Sequence, residues 1–277
     1  MRILNVVGAR PNFVKIAPLV GALRKQAGVE VLLVHTGQHY DPLLSAAFFR
    51  DLGIPEPDIN LEVGSASHAQ QTAEIMRRLE PVLLERRPDV VVVVGDVNST
   101  MAATIVAAKL GIPGAHVEAG LRSFDRTMPE EINRVVTDAL ADYLFASEPS
   151  GVRNLLREGR PRDRIYLVGN VMIDSLKRFL PLAEKSPALE ALGLRSGGSI
   201  KPYCVLTLHR PNNVDDTLKL LRFLRSLERA VEPATSGPVI FPVHPRTQAR
   251  LKEAGWPAFH PEGGSPARPG GGVEVAG

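Results

Sequence analysis

Cations, carboxylates and hydroxyl residues recur in this chain where an apolar run gives way to a helical pattern. Gly8–Lys15, Gly95–Thr100 and His116–Arg134 are the three segments that carry them. In the first, Arg10 and Lys15 flank Pro11, which presets φ for a helix start. A helix N-terminus with two added cations suits a phosphate or another oxyanion, and solvated surface charge is the competing reading of both. In the second, Asp96 follows Gly95 at the end of a valine run, where a carboxylate is costly unless paired or used. Capping the next helix together with Asn98 and Ser99 is its alternative role. Glu118 repeats the pattern after His116-Val117. Glu130 and Glu131 open a helix, where the macrodipole favours negative charge, and Arg134 could pair with Glu130 four residues back. Arg122 lies in the loop Ala119–Pro129, which could close over a ligand. Cations and carboxylates at one edge suit acid–base chemistry on a phosphorylated substrate.

The histidines sort by position. His209 and His244 each end a strand of a second series, which suggests a site facing the first domain, with a structural histidine as the alternative. His35 and His39 straddle a strand end and Gly37, so they are no helical metal pair, and His68 and His260 read as surface or tail residues. No cluster has zinc-ligand spacing, so no metal is expected. Neither G-x-x-x-x-G-K-[ST] nor G-x-G-x-x-G occurs, so the Walker loop and the dinucleotide fingerprint are absent.

These residues must be positioned by strands and helices in alternation. Ile3–Val7, Val29–Val34, Val90–Val94, Gly114–Val117, Tyr143–Ala146 and Ile165–Val168 read as strands, rich in Val and Ile. The all-valine run has no alternation, as in a central strand buried on both faces. Helices are expected at Phe13–Gln26, Pro42–Asp51, Ala69–Arg86, Ser99–Leu110, Glu130–Ala141, Ser150–Glu158 and Met172–Glu184, with Ser99 and Ser150 as N-caps. This order predicts a doubly wound parallel α/β sheet over residues 1–184. Residues 185–202, rich in Gly and Pro, read as a linker. A second series spans 203–254: strand Tyr203–Leu208, helix Val214–Ala230, strand Val239–Val243 and helix Pro245–Glu253. Two such units give only a two-stranded sheet, which leaves a face and an edge uncovered and is expected to expose Val205, Leu206, Val239 and Ile240. Residues 255–277, rich in Gly and Pro, read as a disordered tail, and its abrupt start after about residue 254 suggests a truncated or frame-shifted C-terminus.

Composition narrows the partners. The chain has 277 residues, 44% hydrophobic and 23% charged, with a formal net charge of +3. Nucleic-acid binding has no support from a basic patch, and no apolar run is long enough for a membrane span. The lone Cys204 excludes an internal disulfide, fits the reducing cytoplasm and reads as a buried structural thiol.

Gly8–Lys15, Gln38-His39, Gly95-Asp96, His116–Arg122, Pro129–Arg134, Val168-Gly169-Asn170 and Pro242–Pro245 together resemble the non-hydrolysing UDP-N-acetylglucosamine 2-epimerases, over about residues 1–254. The resemblance implies two Rossmann-like domains of glycosyltransferase-B type, the second incomplete here, with the active site in the cleft between them. It implies interconversion of UDP-N-acetylglucosamine and UDP-N-acetylmannosamine without metal or nicotinamide cofactor, by elimination of UDP to 2-acetamidoglucal and re-addition. Position by position, Asp96, Glu118 and Glu130 match the acid–base carboxylates. Arg10, Lys15 and His209 match groups that contact or stabilise the diphosphate, His209 being grouped with the catalytic residues. Gln38, His39, Arg122, Arg134 and His244 match substrate-binding positions. It also implies a homodimer. The family's Ser-Gly-Gly loop and nearby Glu, which hold the ribose and diphosphate, have no counterpart here. The competing expectations are a nucleotide-sugar glycosyltransferase of the same fold and an inactive nucleotide-sugar-binding fragment.

Overall fold

Strand β4 (Val90–Val94) lies in the middle of a seven-stranded sheet, and its position explains its composition. Val91 and Val93 face one core cluster, Val94 another and Val92 a third, so no residue of the strand after Val90 meets bulk water. In this computed structural model the sheet also contains β1 (Arg2–Val7), β2 (Glu30–His35), β3 (Ile59–Asn60), β5 (Gly114–Ala119), β6 (Tyr143–Ala146) and β7 (Ile165–Leu167). Every pairing is parallel and the order is β3-β2-β1-β4-β5-β6-β7. The structure describes residues 1–37, 56–196, 198–208, 211–235, 237–243, 245–256 and 273–276.

Helices cover both faces of this sheet. On one face α2 (His68–Arg86) and α3 (Asn98–Lys109) pack Leu79, Leu83, Ala103 and Val106 onto Leu4, Val6 and Val93. On the other, α1 (Arg10–Leu23) packs Phe13, Ile16 and Val20 onto Val7, Leu33 and Val94. Further along the chain come α4 (Pro129–Leu140), α5 (Pro149–Arg157) and α6 (Val171–Ala183). The strand order reverses between β1 and β4, the switch point where crevices open at the carboxyl ends of strands. Gly8 lies there because nothing larger fits: a Cβ on it would stand 1.9 Å from Ser99 Oγ.

The chain divides into two compact units, Met1–Pro181 and Leu182–Gly277. In the second, α7 (Ala188–Ala191) and the antiparallel pair β8 (Arg195–Ser196) and β9 (Ser199–Ile200) occupy the stretch expected as a linker. β10 (Cys204–Val205), α8 (Pro211–Val214), α9 (Thr217–Thr235), β11 (Val239–Pro242) and α10 (Pro245–Glu253) follow, around Leu220, Leu224, Phe241, Leu251 and Trp256. The expectation of a structureless tail needs correction, because Val273–Ala276 forms β12 and pairs in parallel with β11. The second sheet therefore has three strands, and Val239 and Ile240, expected to lie uncovered, are buried. Val205 is exposed and Cys204 only half-buried, so the thiol is not the buried group expected. The helix expected at Pro42–Asp51 lies outside the described residues. No helix among the described residues is long and apolar enough to cross a membrane.

Candidate functional site

The turn after β4 carries Asp96, and the side chain does not cap a helix. The N-cap of α3 is Val97, with no side-chain cap bond. Asp96 Oδ2 instead accepts from Arg134 Nη2 on α4, with the carboxylate a quarter exposed. Asn133 Nδ2 donates to the Asp96 carbonyl at 2.8 Å, so α4 grips this residue by side chain and backbone alike. Arg134 pairs with Glu131 at 3.0 Å and not with Glu130, correcting the expected i,i+4 pair. Ser99 is no cap either, its hydroxyl lying 2.8 Å from that of Thr36. The expected cap Ser150 also fails, since Glu148 precedes α5 without a side-chain cap bond.

At the end of β5, Glu118 accepts a hydrogen bond from Lys15 Nζ, and both side chains are largely buried. Gly95 must be small as well as left-handed: its φ is +70°, and a Cβ would meet Lys15 Nζ at 3.0 Å and Glu118 Oε2 at 3.5 Å. Asn12 closes this corner, accepting from Gly8 N–H and donating to the Val94 carbonyl at 2.9 Å. Lys15, Asp96, Glu118 and Arg134 are thus brought together around the carboxyl ends of β1, β4 and β5. Glu130 sits half-buried in the first turn of α4 and has no hydrogen-bond or ion-pair partner among the described residues.

Arg122 departs from expectation. Its side chain is 1% exposed, with Nη1 2.7 Å from Asp138 and Nε and Nη2 bonded to both oxygens of Glu158, the C-cap of α5. A guanidinium so committed holds its loop to the fold and is not presented to a ligand. Arg10 opens α1, but its side chain lies outside the described set, as do Gln38, His39, His209 and His244.

Several groups that hold the site together escape a reading by residue type. Buried Glu131 accepts from Ser123 N–H and Oγ and from Phe124 N–H, tying down the loop before α4. Burial alone would raise its pKa, but these donors and Arg134 hold it below the usual range. Fully buried His116 bonds Asp138 through Nδ1 at 2.6 Å and the Gly95 carbonyl through Nε2 at 2.8 Å. Asp138 behaves like Glu131: burial pushes it up, while His116 and Arg122 outweigh burial and hold it low. The signal for these groups is spacing, since 131, 134 and 138 fall on one face of a helix at steps of three and four. His68, read as a surface residue, is exposed at the start of α2 but bonds Asn98 through Nδ1. No group of three or more His, Cys, Asp or Glu among the described residues could hold a metal ion.

Comparison with known proteins gives a consistent picture. A family model described as UDP-N-acetylglucosamine 2-epimerase matches residues 21–260. A UDP-N-acetylglucosamine 2-epimerase of Methanocaldococcus jannaschii is 43% identical over 253 residues, covering 91% of this chain and 68% of the relative. A UDP-2,3-diacetamido-2,3-dideoxy-D-glucuronate 2-epimerase of Pseudomonas aeruginosa is 39% identical over 257 residues, covering 92% and 70%. The crystal structure of the M. jannaschii UDP-GlcNAc 2-epimerase with UDP-GlcNAc and UDP superposes with a TM-score of 0.81 at 39% identity, over 100% of this chain and 73% of that one. The parallel α/β fold, the switch-point cluster and these matches agree that the chain belongs to the UDP-N-acetylglucosamine 2-epimerase family.

Proposed function

We propose that the chain inverts C2 of a UDP-linked 2-acetamido sugar, interconverting UDP-N-acetylglucosamine and UDP-N-acetylmannosamine. The observation that carries this reading is the pairing of Asp96 with Arg134 and of Glu118 with Lys15 at the switch point of the first sheet. Inversion needs a proton removed from one face of C2 and one returned to the other. C2 carries no strongly activating group, so the C2–H bond breaks as the C1–O bond to UDP breaks. The electron pair leaves on the diphosphate, and 2-acetamidoglucal remains. Re-addition of UDP at C1 with protonation of C2 from the other face completes the cycle. Asp96, Glu118 and Glu130 serve as the acid–base groups, and Lys15 and Arg134 stabilise the charge on the departing diphosphate. Arg10, Gln38, His39, His209 and His244 keep the roles that the family resemblance implies. The same resemblance supports a homodimer, and the lone Cys204 supports a cytoplasmic setting.

Incubation with UDP-N-acetylglucosamine in deuterated water is expected to place deuterium at C2 and to yield the manno isomer. Asp96→Asn, Glu118→Gln and Glu130→Gln should each lower turnover about a hundredfold, the scale of a lost acid–base group. Sugar transfer to an acceptor without C2 exchange would overturn the reading in favour of a transferase. The Pseudomonas relative supports a second reading, the same inversion on a diacetamido uronate. Running both UDP-sugars side by side decides between them by the ratio of their kcat/KM values.

A further inference from the structure

Asp138 has no part in the chemistry assigned above, yet its two carboxylate oxygens reach both sides of Glu118. Oδ1 bonds His116 Nδ1 at 2.6 Å, two residues before it, and Oδ2 accepts from the Gly120 N–H at 2.9 Å, two residues after. Arg122 Nη1 adds a third contact at 2.7 Å. Between these anchors β5 shifts register against β6, between Val117 and Ala119, and Glu118 takes a φ of 80°. A non-glycine residue in the left-handed region costs free energy and persists only where its surroundings over-determine it. The bulge turns the Glu118 side chain onto Lys15. The other ring nitrogen of His116 reaches the Gly95 carbonyl, next to Asp96. One buried carboxylate thus ties both strand ends that bear the paired acids.

We propose that Asp138, through His116 and the Gly120 N–H, is a positioning residue that holds Glu118 in its left-handed bulge and so aims the Glu118 carboxylate. The proposal rests on the reading of Glu118 as an acid–base group. The competing role is to neutralise Arg122 and support its loop. The two roles differ in what happens once the Glu118 carboxylate is gone.

The test is a double-mutant cycle with Asp138→Asn and Glu118→Gln, followed by C2 exchange in deuterated water. Asparagine offers one acceptor oxygen where two are used, so it cannot accept from both the His116 Nδ1–H and the Gly120 N–H, and it removes the charge that holds both. Asp138→Asn alone should lower kcat by about tenfold or more, with KM within about threefold, the pattern of a displaced reacting group. In the Glu118→Gln background the same change should cost less than about twofold, because the displaced group is already disabled. Losses that multiply through the cycle would overturn the proposal. A second comparison needs no substrate. Glu118→Gly should melt above Glu118→Ala, because glycine adopts positive φ freely, and the gap should narrow when Asp138→Asn is added. Equal melting of the two Glu118 variants overturns the enforced bulge, whatever the activity. Absence of C2 exchange in the unaltered chain overturns the functional reading, and the melting comparison then decides the proposal by itself.

Discussion

Arg122 and Lys15 are both cations beside candidate acids, and their surroundings give them opposite duties. Arg122 is enclosed by Asp138, Glu158 and the Leu121 carbonyl, with no donor face turned outward. Among the described residues Lys15 pairs with one carboxylate, that of Glu118. Arg122→Met should therefore destabilise the fold by about 3–5 kcal/mol, the cost of stranding a buried partner charge, with KM for the UDP-sugar changed by less than about threefold. Lys15→Met should do the reverse, lowering kcat/KM by about tenfold or more, the scale of a lost charge-assisted contact to the departing diphosphate, at a smaller cost in melting temperature. A large KM effect from Arg122→Met with normal melting would return it to the ligand. Residue type and position within a loop pointed to Arg122 as a ligand contact. Its true partners lie 16 and 36 residues away in sequence, a distance at which side-chain choice is invisible without the fold.

At the scale of elements, helix α4 organises the site. From its first turn to its last, Glu131 ties the preceding loop, Asn133 and Arg134 grip Asp96, and Asp138 anchors the end of β5. Glu131→Gln leaves one acceptor oxygen for donors that now share two, so it should loosen Ser123 and Phe124 and destabilise the protein by about 1–3 kcal/mol. Faster amide exchange confined to residues 119–128 is the expected reading, and unchanged protection there would show that the loop is held by something else. The strands that frame α4 were legible because Val- and Ile-rich runs alternate with helical patterns. Tertiary pairing, by contrast, decided the caps: Ser99 and Asp96 both suit an N-cap by type, and both are drawn instead to partners from other elements. β12 was hidden for a different reason. Val-Glu-Val-Ala carries strand alternation over only four residues, and the Gly/Pro-rich segment before it swamps so short a signal.

At the scale of the whole molecule, the larger unit carries three acid-sensitive groups. Burial pushes the His35 pKa down, against an opposing hydrogen bond that the imidazole donates to Asn60, and Asp138 and Glu131 are held low by their cationic and N–H partners. All three lie within Met1–Pro181. The signs agree. A histidine with a depressed folded pKa stabilises the fold at neutral pH and loses that contribution as pH falls below its unfolded value, about 6.5. A carboxylate with a depressed folded pKa keeps its contribution down to its unfolded value, about 4, and loses it as pH falls through the folded one. The first unit should therefore weaken gently below about pH 6.5 and steeply below about pH 4. The single tryptophan makes the two separable, because Trp256 is packed in the core of the second unit with Leu251 and Phe241. Tryptophan fluorescence follows that unit, whereas far-ultraviolet circular dichroism follows the whole chain and is dominated by the larger first unit. In urea titrations the dichroism midpoint should drop as the pH falls below about 6.5 and further below about 4, and a midpoint unchanged over that range would overturn the role given to these three groups. Coincident midpoints at every pH would mean that the two units unfold as one cooperative body, with the acid-sensitive groups of the first destabilising both alike.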